Sequence, residues 1–237
     1  MCGRYQLYKS SRELGDLFKT VNPLPNVPPS WNVAPTNDAP VVRRHPESGA
    51  RHLDMLRWGL VPRWAKDTSG AARMINARSE TVATTPAYRD AFARRRCLVP
   101  ADGFYEWRAG GAPKAPKQPY AITLRDRATL AFAGLWEGWR SPAGEVLRSF
   151  AILTTTANER LSALHERMPV ILPPEAWPLW LGEDASEPEA LLALLRPLPG
   201  AALSVWPVSR RVGNVRENDA ALMERDAAVP ALAGLED

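Results

Sequence analysis

Hydrophobic and polar positions alternate over many short stretches of this chain, a pattern typical of β-strands that bury one face. The first such stretch covers residues 4–8, and the others recur through the middle of the chain and near its end. The expected ranges of these later strands are 41–43, 53–60, 97–99, 104–107, 120–124, 130–139, 149–155 and 203–208. The pattern therefore predicts a sheet-rich core that is mainly antiparallel.

Helical spacing of apolar residues predicts fewer and shorter helices. Ser10 or Ser11 is expected to cap the first helix. The apolar face of that helix is expected to consist of Leu14, Leu17, Phe18 and Val21. Further helices are predicted over residues 77–82, 158–165, 175–181 and 188–195. Another is predicted to begin after Thr85, which is expected to be its N-cap. Residues 22–40 contain six prolines and are expected to form an ordered loop.

Together these elements predict a single α+β domain with a mainly antiparallel β core, barrel-like or sandwich-like, and flanking helices. The domain is expected to span residues 1–213, followed by a weakly patterned, partly disordered tail over residues 214–237. No apolar run approaches the length of a membrane span, and the first residues lack the apolar region of a secretion signal. We therefore expect a monomeric cytoplasmic protein with no membrane partner.

The two cysteines, Cys2 and Cys97, do not suggest a disulfide framework, which also favours a reducing cytosol. Cys97 lies in an apolar run and is expected to be a buried, inert thiol. The net charge is +4, and 25 of the 30 basic residues are arginines, which suit phosphate binding but also fit genomic codon bias. Two cysteines and three histidines at scattered spacings do not predict a metal site, and no cofactor is expected.

Cys2 has distinctive chemistry if Met1 is removed, since it then carries a thiol and a free α-amine on adjacent carbons. The ordinary pKa of an α-amine leaves a useful neutral fraction near neutral pH. The amine can form an imine with an aldehyde, and the thiol can then close a five-membered thiazolidine ring. Taken alone, however, a cysteine after an initiator methionine is weak support for a site.

Four other residues are candidates, each with a structural alternative. Asn76 either caps the helix expected after it or belongs to a site. Glu106 is a lone carboxylate among aromatic residues and is suited to proton transfer, but it also fits the solvent face of an edge strand. His165 is a potential acid or base that could instead interact with a helix C-terminus. Trp64, beside an arginine in a turn, is expected on a surface where bases could stack.

Several motifs, in order, resemble the SOS response-associated peptidase (SRAP) family, the abasic-site processing proteins. The first half contributes Met1-Cys2-Gly3-Arg4-Tyr5, Asn32-Val33-Ala34-Pro35-Thr36, Trp58-Gly59-Leu60-Val61-Pro62-Arg63-Trp64, Asn76-Ala77-Arg78-Ser79-Glu80-Thr81 and Gly103-Phe104-Tyr105-Glu106-Trp107. The second half contributes Phe132-Ala133-Gly134-Leu135-Trp136-Glu137, Thr155-Thr156-Ala157-Asn158 and His165-Glu166-Arg167-Met168-Pro169. The match extends to about residue 208, whereas residues 208–214 fit less well.

The resemblance implies that mature Cys2 forms a thiazolidine with the ring-opened sugar of an abasic site, preferentially in single-stranded DNA. It implies that Glu106 and His165 assist proton transfers and that Asn76 orients the N-terminus. The adduct would shield the lesion as part of a DNA-damage (SOS) response, a lyase-like activity, with removal of Met1 as the peptidase activity. DNA-binding roles are implied for Arg4, Trp64, Arg78 and Arg160, and the bound protein would be associated with the nucleoid.

Two other functions also fit parts of the sequence. Class II glutamine amidotransferases likewise begin Met-Cys-Gly and use an N-terminal cysteine, but their glutamine-binding motifs are not visible here. A non-covalent single-stranded-DNA binding module would need the arginines and Trp64 but would be indifferent to Cys2. The crosslinking hypothesis requires an aldehyde in the DNA, whereas neither of these two functions does.

Overall fold

The computed structural model describes residues 2–110, 115–230, 232, 234 and 235. Met1, residues 111–114 and part of the expected tail lie outside the described residues. Twelve strands form within the described ranges. They are β1 (Tyr5–Leu7), β2 (Ser30–Val33), β3 (Asp38–Arg44), β4 (Arg51–Trp58), β5 (Asn76–Arg78), β6 (Arg96–Ala101), β7 (Gly103–Arg108), β8 (Gln118–Leu124), β9 (Leu130–Arg140), β10 (Val146–Thr156), β11 (Arg167–Pro169) and β12 (Leu203–Pro207).

The strands form two sheets, one open and one closed. The open sheet is antiparallel in the order β12-β8-β7-β1-β2. The second sheet closes into a barrel because β10 pairs with both β4 and β9, while β3 and β6 connect those two strands. The short strands β5 and β11 also pair with β10, and only the pairings of β10 with β4 and β5 are parallel among the described strands. This confirms the expected α+β domain with a mainly antiparallel, barrel-like core.

Aromatic packing between the sheets fixes the start of the chain. Tyr5 of β1 is fully buried and contacts Trp58 of β4, with ring centroids 5.1 Å apart. It also meets Phe132 of β9 edge-on at 6.1 Å. Large buried aromatic side chains contribute strongly to core stability. Because Tyr5 is held in the core, Cys2, three residues before it, has a defined position.

Four α-helices flank the sheets in the described residues. They are α1 (Ser11–Phe18), α2 (Arg89–Arg94), α3 (Trp177–Leu181) and α4 (Pro188–Ala193). The expected cap of α1 is confirmed: the hydroxyl of Ser10 accepts from the backbone N–H of Glu13, whose carboxylate accepts from the N–H of Ser10 in return.

The expected apolar face of α1 is only partly correct. Leu14 and Phe18 are fully buried, but the side chain of Leu17 is 42% exposed. Val21 is also exposed, since the helix ends at Phe18 and Lys19 adopts the left-handed conformation at its C-cap. Val21 therefore lies outside the helix that it was expected to extend.

Two predicted helices between residues 77 and 94 differ from the structure. Residues 77–82 do not form a helix, because Asn76–Arg78 pairs with β10 and a turn follows. Here the pairing of β5 with β10 overrides the weak local preference of these residues for a helix. Thr85 does not cap a helix either: its hydroxyl donates to the carbonyl of Thr81 at 2.8 Å, and α2 begins only at Arg89.

Two further expectations are corrected. The helix expected over residues 158–165 is a single 3₁₀ turn, Leu161–Ala163, because the chain must reverse quickly to pair β11 with β10. The proline-rich stretch over residues 22–40 contains β2 and the start of β3. Pro40 lies within β3, at a position where β3 pairs with β4 but not yet with β6. Proline is tolerated there because the side of β3 that faces β6 forms no ladder hydrogen bonds at this position.

Residues after position 213 contact the open sheet. The side-chain carbonyl of Asn218 accepts from the backbone N–H of Trp31 at 2.7 Å, and Leu222 is fully buried. The indole N–H of Trp206 donates to the carbonyl of Met223 at 2.8 Å. Across the described ranges, no helix has both the length and the hydrophobicity needed to cross a bilayer.

Candidate active site

Cys2 lies three residues before the start of β1, and its side chain is fully buried. The side-chain amide of Asn76 donates to the Cys2 carbonyl at 2.8 Å. Asn76 is the first residue of β5, and its own carbonyl accepts from the hydroxyl of Tyr88 at 3.1 Å. The pairing of β5 with β10 therefore brings Asn76 to Cys2 across 74 positions of sequence.

Glu106 is buried on β7, the neighbour of β1 in the open sheet. The register pairs Tyr5 with Phe104, so continuing the ladder places Glu106 opposite Gly3, next to Cys2. The carboxylate is close enough to act on the thiol electrostatically. Burial, and secondly the negative charge of Glu106, raises the pKa of the Cys2 thiol to about 12. The thiol is therefore protonated near neutral pH, and a reaction through its sulfur would require a proton acceptor.

A cleft of about 430 Å³ opens at Gly3, the neighbour of Cys2, while the buried Cys2 itself is not among the lining residues. Its lining comes from the residues just before β1, from β7, from the residue before β8, from the segment before β11 and from the 3₁₀ turn Arg210–Gly213. The lining residues are Gly3, Arg4, Glu106, Trp107, Lys117, His165 and Gly213. The fold thus brings together three residues predicted from sequence, Arg4, Glu106 and His165, in one cleft beside Cys2.

His165 is oriented by a backbone hydrogen bond. Its Nδ1 accepts from the N–H of Arg167 at 3.0 Å, so the neutral ring carries its proton on Nε2. Arg167 in turn makes a bidentate ion pair with Glu80, at 2.6 and 2.9 Å, in the turn after β5. This pair connects the segment of His165 to the strand that carries Asn76.

Arg4 forms part of the cleft wall, and only 9% of it is exposed. Its Nη1 donates to the side-chain carbonyl of Asn32 and to the backbone carbonyl of Val212, both at 2.7 Å. The guanidinium also lies over the ring of Trp107, 5.8 Å from the centroid. A permanent positive charge is therefore held in a fixed place at the cleft.

The other three residues expected to bind DNA do not line the cleft. Trp64 follows β4 and is 69% exposed. Arg78 is exposed at the end of β5, two residues from Asn76. The Nη2 of Arg160 donates to the carbonyl of Leu235 at 3.0 Å, which directs this side chain toward the C-terminal segment.

Sequence reasoning missed four residues of this region: Asn32, Trp107, Lys117 and Gly213. The side-chain amide of Asn32 donates to three carbonyls of the C-terminal segment, those of Val212, Asn214 and Glu217. Such contacts across about 180 positions leave no local signal. Lys117 could have been found, because it lies just before β8, which pairs directly with the strand of Glu106.

The described residues contain no group of three or more histidine, cysteine, aspartate or glutamate side chains that could hold a metal ion. The cleft presents the carboxylate of Glu106, the imidazole of His165 and the cations of Arg4 and Lys117, and the buried thiol of Cys2 lies next to its lining residue Gly3.

The chain belongs to the SOS response associated peptidase (SRAP) family, whose model matches residues 1–215. Among curated proteins it is 38% identical over 226 residues to "Abasic site processing protein YoqW" of Bacillus subtilis, covering 94% of this chain and 99% of that one. It is 31% identical to "Abasic site processing protein HMCES" of Xenopus tropicalis, covering 80% of this chain and 64% of the relative.

Solved structures share the fold. A crystal structure of a protein from Bacteroides thetaiotaomicron superposes with a TM-score of 0.84 at 23% identity, covering 95% of this chain and all of that one. A second, from Bordetella bronchiseptica, gives a TM-score of 0.73 at 29% identity over 88% of this chain and all of that one. The architecture described above is therefore that of previously solved proteins.

Proposed function

We propose that this protein processes abasic sites in single-stranded DNA by forming a covalent thiazolidine crosslink through Cys2, after removal of Met1. The observation that carries the proposal is the position of Cys2, held by Asn76 and facing the carboxylate of Glu106 at the side of a cleft. Membership of the SRAP family and relatives named for abasic-site processing support the choice of substrate.

The reaction needs no reagent beyond the two partners and water, which cleaves the Met1–Cys2 bond. Hydrolysis of the Met1–Cys2 bond frees the α-amine. That amine adds to C1′ of the ring-opened deoxyribose aldehyde, and loss of one water gives an imine. The Cys2 sulfur then adds to the imine carbon, while the thiol proton is transferred and the nitrogen becomes a secondary amine. The product is a five-membered ring that joins the protein to the DNA with net loss of one water.

Glu106 is the group best placed to take the thiol proton. The raised pKa of Cys2 makes this assistance necessary, because little thiolate exists near neutral pH. The α-ammonium of mature Cys2 would also favour the thiolate, since an opposite charge stabilises the ionised form. His165, with its proton on Nε2, can donate to the ring oxygen of the sugar as that ring opens.

Asn76 holds the reacting residue in place. Its amide nitrogen is engaged by the Cys2 carbonyl, whereas its side-chain oxygen accepts no hydrogen bond from the described residues. A buried acceptor without a donor carries a cost. We assign this oxygen to the α-amine of mature Cys2, which would satisfy it and orient the amine's lone pair.

The DNA strand would be held by cations and an aromatic side chain around the cleft. Arg4 supplies a fixed charge within the cleft, and Arg78 lies exposed near Asn76. Trp64 offers an exposed ring for stacking, and Arg160 would contact a phosphate farther away. A missing base leaves the sugar accessible, so no base has to be flipped out of a stack. The adduct would shield the lesion, and we propose that the protein acts as a monomer on nucleoid DNA.

Two variants test the nucleophile. With an abasic oligonucleotide, Cys2→Ala should lose the adduct that survives a denaturing gel, whereas Cys97→Ala, the matched buried thiol, should keep it. Cys2→Ala retains an α-amine, so borohydride should still trap an imine. Intact mass should show that Met1 is absent from the active protein, and a permanent N-terminal extension should block the crosslink. A stable adduct formed by Cys2→Ala without borohydride would overturn the thiazolidine mechanism.

A further inference from the structure

A second cavity, of about 680 Å³, lies away from the cleft and shares no lining residue with it. It is formed by the turn between β3 and β4, the junction of α2 with β6, and the end of α3. Its basic lining residues are Arg44, His45, Arg94, Arg95 and Arg96. Five potential cations in one cavity call for an explanation that the chemistry of Cys2 does not give.

Acidic groups neutralise only part of this charge. Arg95 pairs with the buried carboxylate of Glu137, and Glu47 is the acidic residue in the lining. Among the described residues no carboxylate forms an ion pair with Arg44, Arg94 or Arg96. The cavity therefore retains net positive charge, the electrostatic requirement for binding phosphate groups.

Backbone carbonyls hold two of these guanidinium groups in place without neutralising them. Arg44 donates to the carbonyls of Gly49 and Gly182, at 3.2 and 2.7 Å. Arg96 donates to the carbonyls of Phe92 and Ala93, at 2.7 and 2.8 Å. These carbonyls lie in the turn between β3 and β4, in α2 and at the end of α3. The same hydrogen bonds therefore also stabilise the fold by joining these elements. Arg94, by contrast, is exposed and free to meet a ligand.

The turn between β3 and β4 lacks the features of a cradle for a free phosphate. Such cradles present several unpaired backbone N–H groups to the anion. Here the N–H groups of Glu47 and Ser48 donate to Nδ1 of His45, and that of Gly49 donates to the His45 carbonyl. The cavity therefore offers side-chain cations spread over two elements, an arrangement suited to an extended chain of phosphates.

The sheet relates this cavity to the active site. Asn76 pairs with Ile152, Ile152 with Gly134, and Gly134 with Cys97, the residue after Arg96. Three steps between strands correspond to roughly 14 Å along the sheet. We propose that the cavity binds the phosphodiester backbone of a nucleic-acid strand, as a second contact outside the cleft of Cys2.

The test uses undamaged single-stranded DNA, so that its result does not depend on crosslinking. Binding of an oligonucleotide long enough to cover both sites is followed by fluorescence anisotropy over a series of salt concentrations. Arg94→Ala is compared with Arg89→Ala, an exposed arginine on the same helix that lies outside the cavity lining. Loss of one phosphate contact should reduce the log–log salt slope by about 0.7 for Arg94→Ala only.

A competition arm separates a strand from a free nucleotide. Thymidine monophosphate is titrated into the preformed complex at constant ionic strength and should not displace the DNA. Equal salt slopes for the wild type and both variants would overturn the proposal. Saturable displacement by the mononucleotide from the wild type, but not from Arg94→Ala, would also overturn it, since the cavity would then be a nucleotide site. Crosslinking to abasic DNA remains a separate measurement, so either proposal can fail alone.

Discussion

The side-chain amide of Asn76 donates a hydrogen bond to the backbone carbonyl of Cys2 at 2.8 Å. This contact joins the start of the chain to a strand that pairs with β10, so Cys2 is anchored to the barrel as well as to the open sheet. Precise placement matters, because holding reacting groups in the right geometry supplies a large part of many rate enhancements.

Glu106→Gln should slow adduct formation with little change in DNA binding. The substitution keeps the shape of the side chain but removes the proposed acceptor for the Cys2 proton, and general acid–base assistance is worth about 10²–10⁴ in rate. Single-turnover crosslinking on denaturing gels measures the rate, and anisotropy measures the binding. Glu145→Gln, in the exposed turn between β9 and β10, is the control. An unchanged rate would assign Glu106 to packing.

Folding stability should decline at alkaline pH because two thiols are buried in their neutral form. Burial raises the pKa of both Cys2 and Cys97 above their ordinary values. Above the ordinary thiol pKa the unfolded chain releases these protons while the folded chain keeps them, so the free energy of unfolding falls as pH rises. Each thiol contributes a slope of about 1.4 kcal/mol per pH unit in that range.

Cys97→Ala isolates one of these contributions. The cavity it leaves lowers stability at every pH, but only the lost thiol changes the slope. Urea denaturation of the wild type and the variant, repeated from about pH 8 to about pH 11, should give curves that converge as pH rises. Parallel curves would contradict the assignment of a protonated buried thiol at position 97.

Arg4→Ala should lower the folding stability of the protein, whereas Arg78→Ala should leave it nearly unchanged. Arg78 is exposed, so its removal should reduce the salt slope of single-stranded DNA binding by about 0.7 and leave the melting temperature nearly unchanged. Arg4→Ala should also lower the free energy of unfolding by about 1–3 kcal/mol, because the side-chain oxygen of Asn32 loses its donor and the carbonyl of Val212 keeps only the longer bond from Asn32. Arg12→Ala, exposed on α1, is the control. A salt slope unaltered by Arg78→Ala would argue against a phosphate contact there.

Gly59→Ala should destabilise the protein by about 1–3 kcal/mol. Gly59 has a φ of +124°, and a Cβ atom there would lie 2.7 Å from the carbonyl oxygen of Ala71. This position starts the loop that carries Trp64, so the loop's geometry depends on glycine. Gly138→Ala is the matched control, since no atom lies within 4 Å of the added Cβ. Equal melting temperatures for the two variants would contradict the steric argument.

Local patterns predicted much of the fold but not the elements that depend on distant pairing. The capping box at Ser10 and the long strands could be predicted because the residues that define each of them lie close together in the sequence. Asn76 was expected to precede a helix, whereas it begins β5, because the strand exists only through its pairing with β10. The helix expected to end at His165 was shortened for a similar reason, by the pairing of β11.

The candidate site was only partly predictable from sequence. Cys2, Glu106 and His165 were identified from their chemistry and from resemblance, but nothing local indicated that Asn32 and Val212 would hold Arg4. The cavity at Arg94 could not be predicted from the sequence either, because its cations come from segments about 50 residues apart that meet only in the folded barrel.

The most direct test of the central claim compares two oligonucleotides that differ in one functional group. An abasic strand can open to an aldehyde, whereas its tetrahydrofuran analogue has nearly the same shape and charge but cannot. The thiol and amine of Cys2 require that electrophilic carbon. The account predicts an adduct with the abasic strand alone, stable in a denaturing gel and heavier than the mature protein by the mass of the DNA less one water. Equal adducts with both strands, or none with either, would contradict it.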